Sequence, residues 1–330
     1  MSTVTYEGLS NEQRTFYVLT LIKRLLPYLP LFEDAQKMTI PEHTGGFASG
    51  QIQFRKFNAL TVPDSPTALA EGVAPNDQSL TVSTVTTYLR QYGGWIKVSD
   101  IAATASIDQV MTQAMEVLGE SAGQTLHRLI VNELNSGAGT TVRPAGETAD
   151  SALTSAHILN STVIKRAVRT LRAANVPTFS DGRYHAVIHP YQAYDLQSDS
   201  QWRNVAEYVG GKAQGSGPNI LTGEIGEIHG VRFRESTHLP TSTGGSGGAS
   251  VYSAFMYGPD AYGVFDFKSQ AVGNINAETN RGISIHMEPV NKPTKDDPLG
   301  QYGFVSWKAA FAVKTIDSNR LIRIATGAGA

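Results

Sequence analysis

The chain has 330 residues, 41% hydrophobic and 17% charged, with a formal net charge of −2. A chain of this length and apolar content can bury a real core, as one large domain or two moderate ones, so disorder is not the default. The near-neutral balance lacks the broad basic face of a dedicated DNA binder, and the absence of cysteine excludes a disulfide framework and a thiolate metal site, which fits a reducing cytoplasm.

The first eight residues show no basic stretch followed by an apolar core, so no secretory signal is expected. The apolar run over 18–31 is broken by Lys23, Arg24, Pro27 and Pro30, and it falls short of the roughly 18 apolar residues a membrane span requires. Ser10 with Gln13 forms a capping-box pattern ahead of Phe16, Leu19, Ile22 and Leu26, which recur at helical spacing until Pro27. Residues 1–44 therefore read as an arm whose apolar tail, 27–32, lies against the body or a neighbour; a helix packed in the core is equally compatible.

Residues 45–98 carry Gly45, Gly46 and Gly50, a strand over 51–57, a turn region over 63–75 and a polar strand over 80–89. Two strands joined by a long turn predict an extended hairpin. Its second strand sets Leu80, Val82, Ser83 and Val85 among threonines, a face too weakly apolar to form a core alone, so the hairpin needs a partner surface. An elbow at Gln91-Tyr92-Gly93-Gly94 follows.

Ser106 with Gln109 is a second capping box, and Asp108 complements the helix dipole. Ile107, Val110, Met111, Ala114, Leu118, Ala122, Leu126, Leu129 and Ile130 then trace one helical face until Asn135-Ser136-Gly137 ends it. At 1.5 Å per residue this strut is roughly 40 Å long. Gly119 and Gly123 inside it each cost about 1 kcal/mol in propensity, so close packing is expected to retain them.

The rest alternates: a basic amphipathic helix over 162–174, a buried strand over 184–189 closed by Pro190, a helix and glycine-rich loop over 191–217, and strands over 231–234, 251–257 and 262–267. The glycine- and serine-rich run 241–248 reads as a flexible loop. Strands over 304–314 and 321–324 flank a turn at Asp317-Ser318-Asn319, and no repeat period is evident.

Catalytic and metal chemistry finds little support. Gly244-Gly245-Ser246-Gly247-Gly248 satisfies G-x-S-x-G, but the strand-to-helix context that a hydrolase elbow needs is missing. Gly210-Gly211-Lys212-Ala213 lacks the hydroxyl residue that a phosphate loop places on Mg²⁺. His185 and His189 stand about 13 Å apart in an extended strand, too far to share a zinc ion. Asp195, Asp199 and Glu207, or Asp296 and Asp297, match no EF-hand spacing and read as solvated carboxylates. Asn160-Ser161-Thr162 is a chance glycosylation sequon in a chain with no secretion signal. No catalytic residue, cofactor or metal ligand is assigned.

The turn Ala68-Leu69-Ala70-Glu71-Gly72-Val73-Ala74-Pro75, the Gln91-Tyr92-Gly93-Gly94 segment, the helix ending in Asn132-Glu133-Leu134 and the segment 307–324 follow one another in an order and spacing that resembles the major capsid protein family of N4-like tailed phages. The resemblance covers most of the chain. It implies an α+β, Hong Kong 97-like major capsid fold, with an N-terminal arm over 1–44, an extended-loop hairpin over 45–100, and a spine helix of the peripheral domain over 101–140. A mainly axial domain over 141–300 and terminal strands of the peripheral domain over 301–330 complete it.

On that resemblance the chain assembles with itself, as hexamers and pentamers of an icosahedral shell around double-stranded DNA, in a virion built in the host cytoplasm. The loop of one subunit lies over its neighbour's spine, with Phe54, Arg55, Lys56, Phe57, Glu71, Val73 and Tyr88 as contact residues and Ile107, Met111, Ala114, Leu118, Ala122, Leu126 and Leu129 as the spine core. Some shells of this fold are sealed by an isopeptide from a loop lysine; Lys56 is the only lysine over 45–90, with Asn319 and Asn291 as conceivable acceptors, but a charge at a contact is the preferred reading. Separate scaffolding or decoration proteins and a portal are possible partners, packaged DNA is met through scattered phosphate contacts, and no membrane is involved. An encapsulin-like nanocompartment shell is the alternative, and a cytosolic hydrolase a more distant one.

Overall fold

The computed structural model describes residues 30–38, 51–58, 60, 79–105, 110–199, 224–265, 283–288, 290, 293 and 297–328. The arm helix, the turn holding Glu71 and Val73, the cap at Ser106 with Ile107, the loop around Lys212, Glu207, Asn291 and Asp296 lie outside these residues, as does the side chain of Met111.

Fifteen strands are described: β1 (Gln36–Met38), β2 (Gln51–Phe57), β3 (Val82–Tyr88), β4 (Arg90–Ser99), β5 (Thr140–Val142), β6 (Tyr184–Ile188), β7 (Glu224–Ile228), β8 (Val231–Glu235), β9 (Thr241–Ser242), β10 (Val251–Tyr257), β11 (Tyr262–Phe265), β12 (Ile283–Glu288), β13 (Tyr302–Phe311), β14 (Val313–Thr315) and β15 (Leu321–Thr326). They form a seven-stranded sheet in the order β5-β15-β10-β6-β8-β7 with β9 on β10, a three-stranded sheet β12-β13-β4, a small sheet β1-β11-β14, and the hairpin β2-β3. The three closing strands, β13 to β15, thus divide among three different sheets.

The long helix runs Val110–Gly137, 28 residues. Its stripe of Ala114, Met115, Leu118, Ala122, Leu126, Ile130, Val131 and Leu134 is buried, and Leu129 is half-buried at the margin. This stripe meets Val305, Trp307, Ala309 and Phe311 of β13 on one side, and Phe255, Tyr257 and Leu321 of the seven-stranded sheet on another. Gly119 and Gly123 are both buried.

Strand alternation assigns the other face of the seven-stranded sheet to a second core, where Ala186, Ile188, Ala254, Met256, Ile322 and Ile324 pack on the helix Ser161–Ala173. That helix buries Val163, Ile164, Ala167, Val168 and Leu171 along one side, as a 3.6-residue period requires. Asn160, read in sequence as part of a sequon, is its N-cap, its side chain accepting from the Val163 N–H at 3.1 Å. Pro190 follows the same logic: His189 caps the helix Pro190–Ser198, with Pro190 at its first position, where its missing N–H costs nothing.

Two expectations are corrected. The Gln91-Tyr92-Gly93-Gly94 elbow is the interior of β4, paired antiparallel to β13 from Arg90–Phe311 to Ser99–Tyr302. The glycines admit a neighbour instead of turning the chain: a Cβ on Gly93 would stand 2.7 Å from the Trp307 carbonyl oxygen, and one on Gly94 3.1 Å from the Trp307 indole nitrogen. The run 241–248 is no flexible linker either. β9 pairs with β10, the Ser246 N–H donates to the Leu153 carbonyl at 2.8 Å, and the Gly245 N–H donates to the Ala249 carbonyl at 3.1 Å.

Candidate assembly surface

The hairpin has two unlike faces because side chains alternate along each strand and the register pairs like with like. Ile52 stands opposite Thr87, Phe54 opposite Val85 and Lys56 opposite Ser83, all turned toward the body. Gln53, Arg55 and Phe57 look outward with Val82, Thr84, Thr86 and Tyr88. Beyond the last pair, the Asn58 amide donates to Ser83 Oγ at 3.0 Å and Thr81 Oγ1 at 3.2 Å, carrying the hairpin past the strand ends.

Body-facing residues root the hairpin. Ile52 and Phe54 join Phe265, Ala312 and Ile316 in a small buried cluster with Val85 and Leu89 against it. The Phe54 ring lies directly on Gly263, where a Cβ would collide with three ring atoms. Phe54 is 3% exposed, so it is a root residue of its own subunit and not a contact residue toward a neighbour. Lys56 is spoken for in the same way: its ammonium pairs with the Asp317 carboxylate, which also takes Arg320 Nε at 3.3 Å and the Asn319 backbone N–H at 3.1 Å. Burial works against the Asp317 charge, but Lys56, the Asn319 N–H and Arg320 outweigh it and hold the carboxyl below its ordinary value.

The outward face is what remains for another molecule. Phe57 is 63% exposed, Tyr88 57% and Val82 47%, with Leu60 and Leu80 exposed near the hairpin end. Arg55 lies exposed between them. Phe57 and Tyr88 sit at opposite ends of the ladder, so the outward face has an exposed apolar patch at each end and a polar centre.

A second surface escaped the reading of the sequence. On the solvent side of the β12-β13-β4 sheet, a trough of about 740 Å³ is lined by Trp95, His286, Glu288, Tyr302 and Phe304 among others. Trp95 is 61% exposed, and the Lys97 ammonium rests 3.5 Å from the centre of the Tyr302 ring. The signal was in the alternation of β4, which turns Tyr92, Ile96 and Val98 inward and leaves Trp95 and Lys97 outside.

The described residues weighed for chemistry have structural partners. His185 shares a hydrogen bond with Asp181 through Nε2 at 3.1 Å, has the Asp34 carboxylate 3.0 Å from Nδ1 without hydrogen-bond geometry, stacks on Phe179 at 4.1 Å and is buried. Asp34 also takes Arg234 at 2.8 Å and the Tyr257 hydroxyl at 2.9 Å, while the Tyr262 hydroxyl donates to the Leu31 carbonyl, so the segment Pro30–Asp34 is pinned to the body. Burial pushes both tyrosine hydroxyls well above their ordinary pKa. Asp199 accepts from the Ser161 backbone at 2.8 Å and Asp297 from the Tyr302 backbone at 3.0 Å, and Asp195 and Asp297 are buried, contrary to the expectation of solvated carboxylates. Ser161 Oγ contacts His229 Nε2, but Ser161 is 2% exposed, which closes its hydroxyl to a substrate. No helix among the described residues is long and apolar enough to cross a membrane.

Several solved structures share this arrangement. The chain superposes on the capsid of Ralstonia phage GP4 with a TM-score of 0.67 at 18% identity, over 91% of each chain. For the Cyanophage Pam1 capsid the TM-score is 0.65 at 15% identity, over 93% of this chain and 92% of that one. For the acid-stable capsid of Helicobacter pylori bacteriophage KHP30 it is 0.60 at 11%, over 90% and 91%. At such identities the likeness shows the fold alone, and that fold is the Hong Kong 97 type. No curated protein sequence matches the chain. The sequence profile of one family, described as Phage capsid protein, matches residues 82–323, from the second hairpin strand into β15. It is the phage-capsid part of the sequence resemblance, not its N4-like part, that this match carries. Spanning well over half of the residues, and agreeing with the fold, the match shows that the chain belongs to the Phage capsid protein family.

Proposed function

We propose that this chain is the major capsid protein of a tailed phage, a non-enzymatic subunit that assembles with copies of itself into hexamers and pentamers of a closed shell around double-stranded DNA. The observation that carries the reading is the two-faced hairpin: one face is rooted in its own subunit through Ile52, Phe54 and Lys56, and the other presents Phe57, Val82 and Tyr88 to solvent. A folded chain retains such apolar ends where another surface covers them. In a shell, that surface is a neighbouring subunit, and head-to-tail contacts of this kind close on themselves when the rotation between copies allows it. Arg55, Phe57 and Tyr88 are the described contact residues of this reading, with Glu71 and Val73 extending it. Scaffolding, decoration and portal proteins are further partners of such a shell.

Electron microscopy of the purified protein tests it. Shells or capsomers are expected for the parent, whereas Phe57→Asp with Tyr88→Asp is expected to remain folded, with stability within about 0.5 kcal/mol of the parent as for exposed sites, and not to assemble. A parent that stays monomeric at every protein and salt concentration tested would end the reading.

A further inference from the structure

The helix Ser161–Ala173 carries Lys165, Arg166, Arg169 and Arg172 and no acidic residue, in a chain whose net charge is −2. Lys165, Arg169 and Arg172 follow one another at spacings of four and three, which places them on one face, and all three are exposed. Arg166 is turned aside to donate to the Arg143 carbonyl at 2.9 Å. Among the described residues, neither Arg169 nor Arg172 meets a carboxylate, whereas Arg143 and Arg323 share Asp150 and Arg234 pairs with Asp34.

The exposed cations line a concavity of about 570 Å³ together with Val168, Ala173 and His229. Its rim is held in place. His229 and Gly230 form the β7–β8 turn with φ of 54° and 76°, and the His229 ring contacts Ser161 at the start of the same helix. Burial first, and the Lys165 cation second, keep the His229 ring below its ordinary pKa, with Asp199 acting the other way. The charge of the concavity therefore comes from Lys165, Arg169 and Arg172.

This face is also set apart from the surfaces assigned to contacts between copies. The helix packs on one side of the seven-stranded sheet, and the long helix with β13 packs on the other. Two guanidinium groups one turn apart on the helix, meeting no carboxylate among the described residues and with an ammonium beside them, suit a row of phosphates, because each guanidinium presents a planar fork of donors that matches phosphate oxygens. We infer that the outer face of the helix Ser161–Ala173, with the β7–β8 turn, is where the subunit meets the phosphodiester backbone of the DNA its shell encloses. The contact is independent of base sequence, and it concentrates on one helix the attraction that a near-neutral chain cannot supply as a whole. The inference rests on the capsid reading for the identity of the polyanion.

The test is titration of a fluorescent double-stranded DNA with the full-length protein over a range of salt concentrations, with particle formation scored separately by microscopy. Arg169→Gln with Arg172→Gln is expected to weaken binding at 0.1 M salt by about tenfold or more and to lower the slope of log Kd against log salt by about 2, since each phosphate contact contributes about 0.9. Arg169→Lys with Arg172→Lys should keep the slope, and thermal melts verify that the variants are folded. Removal of two exposed cations elsewhere, Lys37→Gln with Arg90→Gln, should leave the slope near that of the parent. An unchanged slope in the Arg169/Arg172 glutamine variant, or an equal loss in the Lys37/Arg90 variant, would overturn the assignment while leaving the capsid reading intact. So would a glutamine variant that binds DNA like the parent yet no longer assembles, because the helix would then be a contact between copies.

Discussion

Single residues decide how the hairpin is attached. Asp317 gathers Lys56, Arg320 and the Asn319 N–H, and its carboxyl sits below the ordinary value in the folded chain. A group lowered in this way stabilises the fold fully above the ordinary carboxylate range, and the contribution disappears as pH falls through the lowered value. Asp317→Asn is therefore expected to cost about 1–3 kcal/mol at pH 7, in line with hydrogen bonds to charged groups. It should also flatten the fall of melting temperature on acidification, and parallel pH profiles for parent and variant would remove Asp317 from the acid response. At Gly263 the same attachment depends on the absence of a side chain, since a methyl group there meets the Phe54 ring. Gly263→Ala should destabilise by about 1–3 kcal/mol through overpacking, with faster hydrogen exchange in β2, whereas a thermal melt like the parent's would show that the ring yields.

Among the elements, the long helix has the clearest division of labour. Leu118 is 4% exposed and packs in the core with Trp307 and Phe311, while its neighbour Val117 is 59% exposed. Truncating a buried leucine costs about 2–5 kcal/mol, a large part of a typical margin of about 5–15 kcal/mol. Leu118→Ala should therefore lower soluble yield and melting temperature sharply, and Val117→Ala should change either very little. Equal melts would place Leu118 outside the core. The helix Ser161–Ala173 depends on its cap, and Asn160→Ala is expected to cost about 1 kcal/mol in chemical denaturation.

For the molecule as a whole, the hairpin is a lever with a buried root and an exposed outer face. Its amides in β2 and β3 should exchange faster in free subunits than in shells, because the inward cluster alone closes only one face of the ladder. Hydrogen exchange on the two states reads this directly, and the same protection in both would mean that the hairpin is ordered without a neighbour. Within the free subunit, β2 around Phe54 should be the slowest part, since that is where the cluster lies.

Local patterns in the sequence carried much of the architecture. The spacing of Ala114, Leu118, Ala122, Leu126 and Ile130 announced a long one-sided helix, and apolar runs marked β6 and β10, because periodicity and burial are properties of neighbouring residues. What it left out were contacts between distant segments. Gly93 and Gly94 looked like an elbow, although they are strand residues that make room for Trp307, more than 200 positions away. The run 241–248 looked like a linker until β10 and Leu153 supplied its hydrogen bonds. Phe54 looked available to a neighbour, yet Gly263 and Phe265 had already covered it. Composition and spacing determined which segments could be helix or strand and which face of each was apolar. Which sheet each strand entered, and which apolar faces stayed open after folding, was decided only in three dimensions, where burial depends on partners that no local pattern names.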